Sequence, residues 1–192
     1  MSDSDETETA LWDRALRDDG DAFGSLFDRH QDRVYRRALG LVENAHDAED
    51  IVGAAFFELW RKRRAVRIVD GSILPWLLVT TVNLARNSQR SHFRHQRLLR
   101  SMPRVEPTVE LDAGAVEASR RLAESLRRLS PTDAALFVLA SLDELPLAEA
   151  AAAVGLKPST ARMRLQRART RVRADLHDLN PAIHLTAEGH RS

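Results

Sequence analysis

Apolar residues recur at helical spacing along most of the chain, and no stretch alternates convincingly at the two-residue period of a β-strand. The stretch DAFGSLFDRHQDRVYRRALGLV repeats them from Phe23 to Val42. ENAHDAED interrupts this pattern, and Asp47 is the expected N-cap of a helix whose wide apolar face runs from Ile51 to Trp60. The pattern therefore predicts an all-α protein.

A loop and a linker divide the helical pattern. KRRAVRIVDGS is a predicted loop because Asp70 and Gly71 form a turn signal, and Pro75 opens a further helix that runs to about Arg100. The stretch 102–116 holds two prolines and a glycine without helical periodicity, which predicts a flexible linker. We therefore divide the chain into an acidic segment (1–19), an N-terminal helical bundle (20–101), a linker (102–117), a second helical domain (118–176) and a tail (177–192).

The second domain contains two helices joined by a short turn. Ser130 and Pro131 are typical of a helix start. A helix is then predicted over LPLAEAAAAVG and ends at Gly155. A new helix begins after Lys157 and Pro158. Since the helix that follows the turn is rich in arginine, this part of the chain is predicted to be a helix-turn-helix.

The arginine-rich helix has a narrow apolar stripe, made of Ala161, Leu165, Ala168, Val172 and Leu176. We expect Thr160, Arg164, Arg167 and Arg171 on the opposite face, with Arg162, Arg169 and Arg173 in a second row. Guanidinium groups bind phosphates or guanine edges bidentately. The residues expected at or near bases are Ser159, Thr160, Arg162 and Arg164, and those expected at phosphates are Arg167, Arg169 and Arg171. A solvated, membrane-surface or partner-docking helix would show a similar pattern.

The formal net charge of +1 conceals strong segregation. Residues 1–60 hold 15 acids and 6 basic residues, whereas residues 61–104 hold 1 acid and 11 basic residues. Residues 158–175 hold 1 acid and 6 arginines. Two basic blocks indicate two sites for a polyanion, and the acidic sequence indicates a different surface.

The first basic block combines a loop with a helix that carries Trp76, Asn83, Arg86 and Arg90. Basic residues beside aromatic and amide groups suit unpaired bases, which need stacking surfaces and hydrogen bonds. A core position for Trp76 and a loop-bracing role for Asn83 are the structural alternatives.

Several classes of function are disfavoured. The chain has no cysteine, His92 and His95 alone do not make a metal site, and no nucleophile–base set or phosphate loop is present. We therefore expect no metal, no cofactor and no enzymatic activity. The acidic N-terminus and the lack of a long apolar run predict a soluble, cytoplasmic protein without membrane insertion.

Two long segments resemble a known family. DAEDIVGAAFFELW, the basic loop and PWLLVTTVNLARNSQR resemble region 2 of the extracytoplasmic-function (ECF) sigma factors. LSPTDAALFVLASLDELPLAEAAAAVGLKPSTARMRLQRAR resembles their region 4. The resemblance covers residues 20–176 with both regions in order. It implies a specificity subunit of RNA polymerase that enables transcription initiation.

The resemblance also implies partners and site residues. Region 2 would bind the β′ clamp helices of core RNA polymerase through Asp47, Glu49, Asp50, Ile51 and Phe56. It would hold the melted −10 element through Arg63, Arg64, Asp70, Gly71, Ser72, Trp76, Asn83, Arg86 and Arg90. Region 4 would bind the −35 duplex and the β-flap. An anti-sigma factor is a further implied partner.

One departure from the family pattern keeps an alternative open. Gly53 and Ala54 stand where the family usually has a glutamine–acid pair. A degenerate sigma-like module would bind polymerase or an anti-sigma factor without opening promoters. A polymerase-independent regulator would use the helix-turn-helix alone, leaving the acidic surface and the first basic block without a role.

Overall fold

Eight α-helices form most of the chain within residues 6–42, 44–98 and 113–177, which are the residues described by the structure, a computed structural model. They are α1 (Glu8–Leu16), α2 (Gly20–Leu39), α3 (Ala45–Lys62), α4 (Leu74–Leu98), α5 (Ala113–Arg128), α6 (Pro131–Phe137), α7 (Leu147–Ala153) and α8 (Pro158–Leu176). A 3₁₀ turn (Arg63–Ala65) follows α3, and a π-helical turn (Val138–Leu142) follows α6. The predicted all-α class is confirmed.

Helix α1 was not predicted, because it lies in the segment assigned only by its acidic composition. The side chain of Thr7 caps its first turn by accepting a hydrogen bond from the N–H of Ala10. Leu11, Trp12 and Ala15 are buried in the core. Their spacing is helical, but so short an apolar pattern beside an acidic segment is a weak signal. The N-terminal bundle therefore contains α1 to α4.

Two other element boundaries differ from the prediction. The N-cap of α3 is Asn44, whose side chain accepts from the N–H of Asp47 at 2.8 Å. Asp47 instead lies in the first turn, where a carboxylate is favoured by the helix dipole. Helix α5 begins at Ala113, inside the predicted linker, because the alanine-rich sequence there favours helix. Residues 102–112 of that linker and residues 178–192 of the tail lie outside the described residues.

The N-terminal bundle is packed around the apolar face of α3. Phe23 of α2 contacts Trp60 with ring centroids 4.9 Å apart, and Phe27 contacts Phe56 at 4.7 Å. Leu59 is fully buried between the helices. These contacts fix α2 and α3 as neighbours and orient the loop that leaves α3.

The helix-turn-helix is formed by α7 and α8, as predicted. Gly155 occupies the turn with φ +70°, a left-handed conformation that glycine adopts without strain. The apolar stripe of α8 packs inward: Ala161, Leu165, Ala168 and Val172 are buried. Because the stripe is covered by α5 and α6, α8 presents its remaining faces outward.

The two helical units pack directly against each other. Leu78 and Val82 of α4 share one apolar cluster with Leu136 and Phe137 of α6. At the edge of this contact, Arg37 Nε and Nη2 donate to the two carboxylate oxygens of Asp143 at 2.8 and 3.1 Å. Because Asp143 is on the C-terminal unit and its side chain is nearly inaccessible, this bidentate pair joins the two units across the cluster.

We predict that Arg37→Ala lowers the free energy of unfolding by about 1.5–3 kcal/mol, because the carboxylate of Asp143 loses its two charge-assisted hydrogen bonds. Urea denaturation followed by circular dichroism measures the change. The control is Arg36→Ala, which removes the same charge from an exposed neighbouring position. Equal stability of the two variants would contradict a stabilising role for the pair.

Candidate nucleic-acid interface

The N-terminal half of α8 is an exposed polar surface. Ser159, Thr160, Arg162 and Arg167 are all exposed, and Arg171 continues the surface along the helix. Helix α8 begins with Pro158 at its first positions, and Lys157 supplies no side-chain cap. The N–H groups of this first turn therefore remain available to an anion, and so do the exposed guanidinium groups of Arg162, Arg167 and Arg171.

Arg164 was expected on the face of α8 opposite the apolar stripe. It lies instead beside the stripe. Its Nε donates to Asp133 Oδ1 at 2.6 Å, and its Nη2 donates to Ser130 Oγ at 3.1 Å. At 100° per residue, position 164 is about 60° from position 161, which places it at the contact with α6. Arg164 therefore joins α8 to the start of α6.

The pKa values of this pair shift in the directions expected for an ion pair. Burial raises the pKa of Asp133, but the hydrogen bonds from Arg164 and Ser130 outweigh it and hold that pKa below its usual value. The hydrogen bond that Arg164 donates to Asp133 raises the pKa of Arg164. The pair is therefore ionised at neutral pH.

Arg169 is likewise used within the fold. Its Nε donates to Ser141 Oγ at 3.0 Å, and its Nη2 lies 3.4 Å from the carbonyl oxygen of Ala140. Both acceptors belong to the π-helical turn. Of the seven predicted α8 residues, five are exposed, and Arg164 and Arg169 contact neighbouring elements.

The loop before α4 forms a tight turn at the predicted position. Asp70 and Gly71 have φ values of 51° and 73°, and Val69 and Ser72 exchange two backbone hydrogen bonds of 3.0 Å. Two consecutive positive φ values between paired residues are typical of a type I′ hairpin turn. Asp70 and Gly71 are exposed, so the turn projects from the bundle.

The arginines at the start of this loop differ in accessibility. Arg63 lies 4.1 Å above the ring of Trp60, donates to the carbonyl oxygen of Trp60 at 2.6 Å and forms an ion pair with Asp18. Its side chain is largely covered. Arg64 is exposed and lies 3.5 Å from Asp18. Arg67, which was not selected from the sequence, is also exposed on the loop.

The residues predicted on α4 range from half-buried to buried. Trp76 and Asn83 are half-buried. Arg86 is only 6% exposed, and its guanidinium donates to the carbonyl oxygens of Leu126 and Leu129, the latter at 2.9 Å. These acceptors lie at the carboxyl end of α5, where helix carbonyls lack intrahelical partners. Only the backbone of Arg90 is described, as part of α4.

The acidic start of α3 separates into exposed and covered residues. Glu49 and Asp50 are exposed, while Asp47 is half-buried and accepts from Asn44 Nδ2 at 2.9 Å. Ile51 and Phe56, at 4% and 3% exposure, belong to the hydrophobic core. In this conformation they pack in the core and are not accessible to a partner.

The structure identifies Phe57 as a surface residue that the sequence analysis missed. Its side chain is 65% exposed, two turns along α3 from Asp50. Gly53 lies between them, and a Cβ there would meet nothing within 4 Å. The adjacent phenylalanines point in different directions because successive residues on a helix are 100° apart. We call Glu49, Asp50, Gly53 and Phe57 the exposed face of α3.

Comparison with known proteins assigns the family. The Sigma-70 region 2 family model matches residues 26–97, and the Sigma-70 region 4 model matches residues 119–172. The chain is 32% identical to the RNA polymerase sigma factor CarQ of Myxococcus xanthus, over 83% of this chain and 91% of that protein. It is also 32% identical to the ECF RNA polymerase sigma factor SigE of Mycolicibacterium smegmatis, over 88% of this chain and 63% of that protein. The chain belongs to the ECF sigma factors.

Solved structures show the same fold. CnrH, in complex with the cytosolic domain of CnrY, matches with a TM-score of 0.61 at 23% identity, over 90% of this chain and 98% of that one. RpoE of Bartonella quintana, in complex with the anti-sigma factor NepR, matches with a TM-score of 0.51 at 20% identity, over 81% of this chain and 97% of that one.

The matched regions place the surfaces described above within this sigma factor. Region 2 contains the exposed face of α3, the turn at Asp70 and Gly71, and α4. Region 4 contains most of α5 and the helix-turn-helix. Helix α1 precedes both matches. Within the described ranges there is no helix that is long and apolar enough to span a membrane, and no cluster of three or more potential metal ligands.

We predict that Arg164→Ala destabilises the protein by about 1 kcal/mol, because a partly buried ion pair to the start of α6 is lost. Arg167→Ala is the matched control, because it removes an arginine one turn later from an exposed position. Thermal unfolding monitored by circular dichroism gives the melting temperatures. We expect Arg167→Ala to match the wild type within error and Arg164→Ala to melt at a lower temperature than both. A lower melting temperature for Arg167→Ala than for Arg164→Ala would contradict the assigned role.

Proposed function

We propose that this sigma factor binds core RNA polymerase and directs it to promoters by contacting the −35 duplex through region 4 and the melted −10 element through region 2. The observation that carries the proposal is the presence, in one ECF chain, of two separate basic surfaces of different form. One is the exposed polar face of the second helix of a helix-turn-helix, and the other is a projecting turn beside a half-buried tryptophan. No catalytic residue is proposed.

At the −35 element, the first turn of α8 enters the major groove. Ser159, Thr160 and Arg162 are the base-contacting candidates, and Arg167 and Arg171 contact phosphates. Arg164 and Arg169 act by holding α8 against α6 and the π-helical turn, since their donors are already used there. This division changes which substitutions report on DNA binding and which report on folding.

At the −10 element, the projecting turn and the start of α4 hold unpaired bases. Asp70, Gly71 and Ser72 supply polar groups at the turn, and Trp76 and Asn83 lie on the adjoining helix. Arg64 and Arg67 add exposed positive charge for the strand backbone. Capturing the bases offsets an unstacking cost of a few kcal/mol per base. Melting then requires no nucleotide hydrolysis by this protein.

A contact from Arg86 to the −10 strand requires a change in domain arrangement. Its guanidinium is covered by the carboxyl end of α5 and donates to backbone carbonyls there. DNA can reach it only when the region 4 unit moves away from α4. We therefore propose that the conformation described here precedes promoter binding and that the units separate on the polymerase.

Core polymerase binds the exposed face of α3 in this proposal. Glu49 and Asp50 provide negative charge for basic residues of the β′ clamp helices, and Phe57 provides an apolar contact. Because Gly53 has no side chain, the surface between Asp50 and Phe57 is open to a side chain of the partner. Region 4 contacts the β-flap.

An anti-sigma factor is the proposed regulatory partner. Support comes from CnrH and RpoE, which share this fold and whose structures contain CnrY and the anti-sigma factor NepR, respectively. The exposed face of α3 is one surface that such a partner would compete for.

A second candidate function is a sigma-like module that binds its partners without opening promoters. The open space at Gly53 favours it, because the family usually places a larger polar side chain there. Transcription with purified core polymerase distinguishes the two. Linear templates randomised at the −35 and −10 elements should yield specific transcripts if the first proposal holds. Stable core binding without any transcript would favour the module.

We predict that Arg162→Ala and Arg167→Ala weaken −35 binding differently. Arg162→Ala should cost about 1–3 kcal/mol and relax selection at one base position, because a bidentate base contact is lost. Arg167→Ala should weaken binding to all sequences and reduce the slope of log affinity against log salt by about 1. Fluorescence anisotropy with the selected −35 duplex measures both. Arg17→Ala, an exposed charge on the N-terminal unit, is the control, and an equal loss in that variant would reject the α8 assignment.

We predict that Phe57→Ser lowers affinity for core polymerase by about tenfold or more, since burying a phenylalanine side chain contributes about 1.5–3 kcal/mol. Stability should stay unchanged because the side chain is exposed. Met163→Ser is the matched control, because Met163 is an equally prominent apolar residue at 58% exposure on α8. Competition binding with labelled core polymerase gives both affinities, and undiminished binding of Phe57→Ser would remove this residue from the interface.

A further inference from the structure

Helix α1 contacts both ends of the loop that precedes α4. At the start of the loop, Asp18, two residues after the end of α1, forms an ion pair with Arg63 and lies 3.5 Å from Arg64. At the end of the loop, Glu8 in the first turn of α1 contacts Ser72 and Ile73. The exposed turn between these two points is therefore held on one side by α1 and on the other by Asp18, which follows it.

Glu8 makes the more enclosed of the two sets of contacts. One carboxylate oxygen, Oε1, accepts from the backbone N–H of Ile73 at 2.7 Å and from Ser72 Oγ at 3.0 Å. His30 Nε2 of α2 lies 2.9 Å from the same oxygen, and the side chain of Glu8 is only 15% exposed. Burial raises the pKa of Glu8, but the neighbouring His30 and the hydrogen bonds from Ile73 and Ser72 outweigh it and lower the pKa. A carboxylate is thus held against a backbone donor and two side chains.

These contacts extend to the start of α4. Ser72 Oγ, which donates to Glu8, also accepts from the N–H of Leu74, the first residue of α4, at 3.1 Å. Beside it, Thr9 Oγ1 lies 3.5 Å from the carbonyl oxygen of Gly71. Glu8 and Thr9 therefore set the position of the turn relative to the helix that carries Trp76 and Asn83.

From this geometry we infer that Glu8 is a positioning residue for recognition of the −10 element, acting through the turn at Asp70–Ser72 and the first turn of α4. The inference rests on the proposed function. Helix α1 lies before residue 26, where the region 2 match begins, so neither matched region contains Glu8.

The physical reason is preorganisation. A base that has left the stack is selected only if the groups around it keep a fixed arrangement, within about 0.5 Å of the productive geometry. The turn is exposed at its tip, so its ends must supply the rigidity. A loop that orders only on binding costs conformational entropy, which lowers affinity for every base and discriminates poorly between them.

The experiment uses core polymerase loaded with the full chain and a pool of templates that carry a preformed bubble randomised over the −10 segment. Sequencing of retained templates gives the ratio between the best and the worst base at each position. Glu8→Ala should lower this ratio about tenfold at one or more positions, because the turn is no longer fixed. Glu8→Gln should stay near wild type, since its amide oxygen can still accept from Ile73 and Ser72.

Two further measurements separate positioning from simple loss of structure. Core polymerase affinity and −35 duplex affinity should remain unchanged in Glu8→Ala, because Glu8 contacts His30, Ser72 and Ile73, which belong to neither surface. Asp13→Ala removes a carboxylate from an exposed position on the same helix and should behave as wild type throughout. Parallel loss of −10 selection, core binding and −35 binding in Glu8→Ala would overturn the inference in favour of a purely structural role.

If Glu8→Ala does not fold, Asp18→Asn tests the other end of the loop. Asparagine tolerates the positive φ of 68° at this position and removes the charge that pairs with Arg63. A smaller loss of −10 selection, about threefold, is then expected. If the variant that folds keeps full −10 selection, the inference is wrong but the proposed function stands. If the wild-type complex selects no −10 sequence, both the proposed function and this inference are wrong.

Discussion

The packing of α4 on two sides is the constraint on which the other elements depend. Leu77, with Ile73 just before the helix, is fully buried in the cluster formed with α1, α2 and α3. Leu78, Val82 and Ala85 are buried in the cluster that includes α6 and the helix-turn-helix. One bundle alone does not bury both apolar faces of this helix. Its burial therefore joins region 2 to region 4, and polar contacts such as Arg37 with Asp143 and Arg86 with the end of α5 add to this packing.

The consequence for function is that the same helix carries the residues proposed for the −10 strand. Its first turns lie next to the projecting loop and remain partly accessible. Glu8 of α1 and Asp18, which follows α1, hold that loop in place. Further along, at Arg86, the region 4 unit covers it. Binding of promoter DNA along all of α4 and close packing of the two units are therefore mutually exclusive at Arg86. In the proposed mechanism, the free energy of that packing sets how readily the two units separate.

The arginines predicted to contact DNA differ in what they contact. Arg63, Arg86, Arg164 and Arg169 bind carboxylates, hydroxyls or helix carbonyls within the fold. Arg162, Arg167 and Arg171 keep their guanidinium groups in solvent. A basic sequence segment thus overstates the charge that is available to DNA, because planar guanidinium groups are also the best partners for buried acceptors.

The sequence by itself determined the helical class, the turn at Asp70 and Gly71, the start of α6 at Ser130 and the helix-turn-helix, because each depends on periodicity or on residues adjacent in the chain. The family resemblance rested on the same local segments. Only the tertiary structure decided that α1 belongs to the core, that Ile51 and Phe56 are covered while Phe57 is exposed, and that Arg164 and Arg86 are bonded within the protein. Those outcomes depend on which helix covers which face, and the contacts that settle them join residues far apart in sequence, such as Glu8 with Ile73 and Arg37 with Asp143.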